Sequence, residues 1–132
     1  MITFKMIESS ELNPYLEQFH IYGHGIENGL SPEEHLRRLK AECQGLNGLL
    51  ILKDNVACAL ITFIPNLVED IHFTGLGLCC IHFAGSGLGY SGVKALHRAL
   101  AAMARESDAS WYSVSSRVSK YEYRNRYYML RS

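Results

Sequence analysis

Residues 84–92 read Ala84-Gly85-Ser86-Gly87-Leu88-Gly89-Tyr90-Ser91-Gly92, between an apolar run ending at Phe83 and a stretch with helical periodicity. Four glycines in the eight positions from Gly85 to Gly92 are costly in chain entropy, because glycine gives up more backbone freedom on folding than any other residue. Two structural demands repay them: a strand-to-helix joint too tight for side chains, or a helix N-terminus whose amide groups hold a phosphate. A P-loop is excluded, since no Gly-Lys-Ser/Thr follows the glycines. Gly87, Gly89 and Gly92 spell G-x-G-x-x-G, but a dinucleotide-binding fold needs several more strand-helix units, and only 40 residues follow Gly92.

The rest of the chain sets the frame for this turn. Its 132 residues, 48% hydrophobic and 20% charged, predict one folded domain over 1–132 and exclude a disordered chain. No apolar run is long enough to span a membrane, and the N-terminus lacks a signal-peptide layout, so a cytoplasmic protein without membrane contact is expected. Cys43, Cys58, Cys79 and Cys80 have no metal-ligand spacing and read as reduced thiols, three of them in apolar runs. The net charge is zero but uneven: residues 1–70 carry five basic and ten acidic side chains, residues 71–132 eight and three. An anionic group is therefore expected against the second half.

Alternation in Ile2-Thr3-Phe4-Lys5-Met6-Ile7 predicts a half-buried strand. Leu12, Leu16 and Phe19 share a helical face, with Pro14 near the start. A second helix opens at Ser31 as N-cap, Pro32 in the first position and Glu34 closing a capping box, with Leu36, Leu39 and Cys43 inward. Residues 48–66 predict a central hairpin around Asp54-Asn55. Residues 71–83 predict one bulged strand or a second hairpin, with Gly75 and Gly77 interrupting regular pairing. Beyond the glycines, Val93, Leu96, Leu100 and Met103 form an apolar helical stripe. A strand at 110–116 follows, and the chain closes in a short tail.

This order of elements, with Ala84-Gly85-Ser86-Gly87-Leu88-Gly89 after the long strand, resembles the R/Q-x-x-G-x-G/A loop and architecture of the GNAT-type N-acyltransferases. The resemblance covers nearly the whole chain. It implies an α+β fold with a mixed, mostly antiparallel central sheet and helices on both faces. It also implies acetyl-coenzyme A or another acyl-coenzyme A as cofactor, its pyrophosphate held by backbone at Gly85, Gly87, Leu88 and Gly89 and its thioester beside strand amides near Ile81 and Phe83. The chemistry implied is direct attack of an amine on the thioester in a ternary complex. Ala84 stands where the family has Arg or Gln. The family's N-x-x-A-x-x-x-Y pattern is met at its offsets by Ser116, Ser119 and Tyr123, of which Tyr123 alone keeps the residue type, so the segment from about 116 is short or atypical.

An attacking amine must lose a proton, which asks for a base that titrates near neutrality. His82, at the end of the strand, and His72, on its first half, are the candidates; hydrogen bonding within the sheet is the other use for each. Tyr123, at the offset of the family's general acid, is the candidate to protonate the leaving thiolate, or else packs. His20 and His24 are spaced for a shared helix face, but Gly23 intervenes and no third metal ligand is near. In residues 116–132, Arg117, Lys120, Arg124, Arg126 and Arg131 interleave with four tyrosines against the lone Glu122. That pattern suits an edge cover or homodimer contact, a protein partner, or nucleic acid. The acceptor, a small-molecule or protein amine, is not specified by any motif. A GNAT-fold binding or assembly protein acting through this segment is the alternative function.

Overall fold

The computed structural model describes residues 1–22, 24–68, 75–85, 88–119 and 121–130; for Tyr22, His24, Gly25, Asn66, Val68, His82, Phe83, Ala84 and Arg117 it describes backbone alone. The strands are β1 (Ile2–Ile7), β2 (Asn47–Lys53), β3 (Val56–Val68), β4 (Leu76–Gly85), β5 (Trp111–Ser119) and β6 (Glu122–Met129). The helices are α1 (Asn13–Phe19), α2 (His24–Glu27), α3 (Pro32–Glu42) and α4 (Gly89–Glu106). The strands stand in the sheet in chain order, β1 to β6. Pairing is antiparallel for β1–β2 and β5–β6 and parallel for β4–β5, which makes the sheet mixed and the class α+β. Contacts sort the chain into two compact units, Met1–Thr62 with His82–Gly87 and Phe63–Ile81 with Leu88–Ser132.

In the first unit the local signals hold. Asp54 and Asn55 take φ of 52° and 67°, the left-handed pair that a two-residue hairpin turn requires and that Asp and Asn tolerate. The N-terminal ammonium lies 2.6 Å from Asp54 Oδ1, beside the β1–β2 register in which Ile2 faces Lys53 and Ile7 faces Gly48. Leu12, Leu16 and Phe19 are buried with Ile7, Cys43, Leu50 and Leu60, and Leu36 and Leu39 pack against them. Each such aliphatic side chain contributes on the order of 1.5–3 kcal/mol by leaving water. Ser31 Oγ accepts from Glu34 N–H at 3.2 Å, with Pro32 in the first turn. The expected capping box is only half formed. The Glu34 carboxylate turns instead to Arg37 Nε and Arg38 Nε, both at 2.9 Å, and these guanidiniums hold its pKa down at about 2. Three donors on two guanidiniums outcompete one backbone amide for the same oxygens.

The second unit departs more from expectation. Gly77 does not break pairing; it sits inside the parallel ladder opposite Trp111, followed by Leu78 opposite Tyr112 and Cys79 opposite Ser113. A Cβ at Gly77 would run into the Trp111 indole, and that ring is fully buried, so the glycine makes room for the largest side chain of the core. Gly75, before the strand, takes φ of 82°. The inward stripe of α4 runs through Gly92, Leu96, Leu100 and Ala104, while Val93 is 44% exposed; Gly92 takes the buried position expected for it. The expected tail is strand β6, paired with β5 from Met129 opposite Trp111 to Glu122 opposite Ser119.

Candidate functional site

The link between β4 and β5 is short. Three residue pairs join them, Gly77–Trp111 to Cys79–Ser113, and none follows among the described residues. Yet β4 continues to Gly85, and β5 stays paired with β6 as far as Ser119. Among the described residues of the second unit, Cys80 and Ile81 thus form an edge of β4 past its ladder with β5. Backbone amides on such an edge are donors without a ladder partner from that strand.

β4 ends at Gly85, and α4 begins at Gly89. Gly85 takes φ of 149°, and a Cβ there would lie 2.5 Å from both Ala59 Cα and the Cys58 carbonyl oxygen. It is a packing glycine, forced by the close passage of β3. Gly89 takes φ of 71°, and nothing lies within 4 Å of a Cβ built on it. Its conformation demands glycine, but the space it faces is open. The N-cap Leu88 makes no side-chain capping bond, and the first turn of α4 carries no acidic residue. The amide groups of an 18-residue helix thus begin without an N-cap side-chain acceptor among the described residues, at the positive end of its dipole, which is the arrangement that takes an anion. A diphosphate group fits this cradle, since it needs donors, open space and no competing carboxylate.

Further along α4, His97 Nδ1 lies 2.9 Å from the Tyr112 hydroxyl. The His97 ring meets Tyr128 edge-on at 4.9 Å, and Tyr112 and Tyr128 stack at 4.9 Å between centroids. Burial lowers the pKa of His97 and raises that of Tyr112, so both are neutral near pH 7 and the bond joins uncharged partners. Burial also pushes the Cys80 thiol up to about 12, which leaves it inert as a nucleophile. The sequence reading did not single out this trio. Its available signal was His97 beside Leu96 on the inward stripe, together with aromatic residues at Tyr112 and Tyr128.

Of the residues singled out in the sequence, Leu88 and Gly89 come together at the start of α4. Gly85 ends β4, and Ile81, His82 and Phe83 lie within it, Ile81 half-buried. Gly87, His72 and Gly23 lie outside the described residues. Tyr123 stands on β6 opposite Arg117, its side chain 56% exposed. The offset from Ser116 and Ser119 to Tyr123 thus runs across the β5–β6 turn, with the serines on one strand and the tyrosine on the other. His20 Nδ1 lies 2.8 Å from the Glu17 carbonyl. Among the described residues no helix is long and apolar enough to cross a membrane.

No protein-family model matches the chain, and no curated protein does. Solved structures do. A probable N-acyltransferase from Enterococcus faecalis superposes with a TM-score of 0.58 at 13% identity over 88% of this chain, which spans 29% of that protein's length. The ribosomal-protein-S18-alanine N-acetyltransferase of Escherichia coli gives 0.57 at 15% identity over 90% of this chain and 69% of its own. The ribosomal-protein-alanine N-acetyltransferase of Brucella melitensis gives 0.53 at 18% identity over 85% and 77%. At such identities the likeness is one of backbone: the chain has the fold of the GNAT-type N-acetyltransferases.

Proposed function

We propose that the chain is an acyl-coenzyme A-dependent N-acyltransferase that uses acetyl-coenzyme A and an amine acceptor, either a small molecule or a protein. The observation that carries the reading is the start of α4: among the described residues it has no side-chain capping bond from its N-cap and no acidic residue in its first turn, and it is opened by a positive-φ glycine facing open space. Two of the similar structures are named for acetylating a ribosomal-protein alanine, which supports a protein amine as one acceptor class. Bound acyl-coenzyme A would supply an activated thioester carbonyl. In this reading the amides of Leu88, Gly89 and the following turn hold its pyrophosphate, with Gly85 and Gly87 shaping the approach. Amides of β4 near Ile81 and Phe83 donate to the charge that develops on the carbonyl oxygen. The His82 imidazole, or that of His72, takes the proton that the attacking amine loses as the C–N bond forms. The Tyr123 hydroxyl gives a proton to the sulfur as the C–S bond breaks.

Calorimetric titration with acetyl-coenzyme A tests the cradle through two isosteric variants. Asp and Asn both tolerate the left-handed backbone at Gly89, but Gly89→Asp adds a carboxylate where the pyrophosphate is placed. The expected result is micromolar binding by the wild type, reduced by about tenfold or more in Gly89→Asp and much less in Gly89→Asn. Equal losses in both variants, or no wild-type binding at millimolar ligand, would overturn the reading.

A further inference from the structure

The helices α3 and α4 hold their cations differently. In α3, Arg37 and Arg38 pair with Glu34, and Lys40 pairs with Glu17. In α4, Lys94, Arg98 and Arg105 are all exposed, and none of them forms an ion pair among the described residues. No acidic residue stands between Gly89 and Arg105; Glu106 ends the helix. At 3.6 residues per turn these cations fall within about 40° of arc and form a row about 16 Å long. The row lies on the side away from the buried Gly92, Leu96, Leu100 and Ala104. Ala95 and Ala102 flank it, the first half-buried and the second exposed. At its N-terminal end Lys94 Nζ lies 5.0 Å from the centroid of the exposed Tyr90 ring.

We propose that this face of α4 docks an acidic helix of a partner protein. From Lys94 to Arg98 is four residues and from Arg98 to Arg105 seven, the steps at which one face of an α-helix recurs. Carboxylates at the same steps on a partner helix therefore meet the whole row when the two helices lie side by side. Alanines on the flank let the axes approach to about 8–10 Å, the ordinary packing distance of helices. A second copy of the chain fits less well, because pairing α4 with itself sets two rows of like charge against each other. A phosphate backbone would answer the charge but gains nothing from the alanine flank. An anionic membrane needs apolar side chains to insert, and the large apolar side chains that α4 exposes are Tyr90 and Val93, both near its N-terminal end. The inference stands independently of acyl transfer, because binding is measured without acyl-coenzyme A.

The test is fluorescence anisotropy with a labelled, alanine-rich peptide of about twenty residues, long enough to be helical, with glutamates at steps of four and seven. A control peptide has the same composition with its glutamates spread around the helix. At low salt the patterned peptide should bind about fivefold tighter than the control or better, since only it presents its charges on one face. Arg98→Glu should weaken the patterned peptide about tenfold, and a peptide with lysine for the middle glutamate should recover that loss. Arg98 is exposed, and an unchanged far-ultraviolet circular dichroism spectrum verifies the fold of the variant. The proposal is overturned by absence of binding, by equal binding of the two peptides, by an affinity that Arg98→Glu leaves unchanged, or by failure of the lysine peptide to recover it. It is equally overturned if a DNA duplex or phosphatidylserine vesicles bind more tightly than the patterned peptide and lose that binding in Arg98→Glu, or if the wild type sediments as a dimer that Arg98→Glu dissociates.

Discussion

Gly85 and Gly89 belong to one short run of sequence and answer to different forces. Gly85 is pressed against the β3 backbone, whereas Gly89 has open space on its Cβ side and is held by its dihedral angle alone. A glycine motif is therefore not one feature. Its first part packs the end of β4 against β3, and its last part starts α4, whose N-cap makes no side-chain capping bond. This distinction separates a packing role at Gly85 from the anion cradle proposed at Gly89.

Substitution at the two ends should break the molecule to different extents. Gly85→Ala meets backbone atoms of Cys58 and Ala59 and a φ that a side chain resists; neither obstacle can move without shifting β3. The expected loss is roughly 2–4 kcal/mol in urea unfolding. A loss under about 0.5 kcal/mol, the range of an ordinary surface change, would mean that the turn relaxes freely and the packing role is wrong. Gly89→Ala meets no atom, so the strain of a left-handed alanine remains, about 1–2 kcal/mol. If Gly89→Ala proved as damaging as Gly85→Ala, the space before α4 would not be open.

The smallest effect comes from the far side of α4, where packing rather than the turn anchors the helix. His97 has its pKa lowered below the ordinary 6.5 by burial. In the unfolded chain it takes up a proton at a pH where the folded chain does not. Stability is therefore full above about 6.5 and falls as pH drops below it toward the folded value. Unfolding midpoints measured from pH 7.5 down to pH 5 should decline modestly in the wild type and more shallowly in His97→Gln. Identical slopes would show that the contact with Tyr112 and Tyr128 does not depend on a neutral ring. Glu34 works at lower pH: its depressed pKa makes its contribution full above the ordinary carboxylate value and lost on acidification toward about 2. Its titration, between the ordinary 4.5 and about 2, lies below pH 5 and leaves the window above that to His97.

What could be read from the residues alone was whatever is decided within a few positions of the chain. The Ser31-Pro32 helix start, the Asp54-Asn55 turn and the buried Leu12, Leu16 and Phe19 all follow from local backbone preference and local apolar periodicity. Strand β6 did not show itself, because Tyr-Arg-Asn-Arg-Tyr-Tyr has no alternation to read. Its outer positions are exposed on both faces, and pairing with β5, not burial, makes it a strand. Gly77 looked like a break because the indole that fills its place comes from Trp111, more than thirty residues later. Likewise, the division of labour between Gly85 and Gly89 depends on where β3 passes, and the neutral His97 depends on Tyr112 and Tyr128. Sequence determined the elements with local signals. Only the tertiary structure decided which glycine packs, which faces open space and where the sheet ends, because those outcomes rest on contacts between residues distant along the chain.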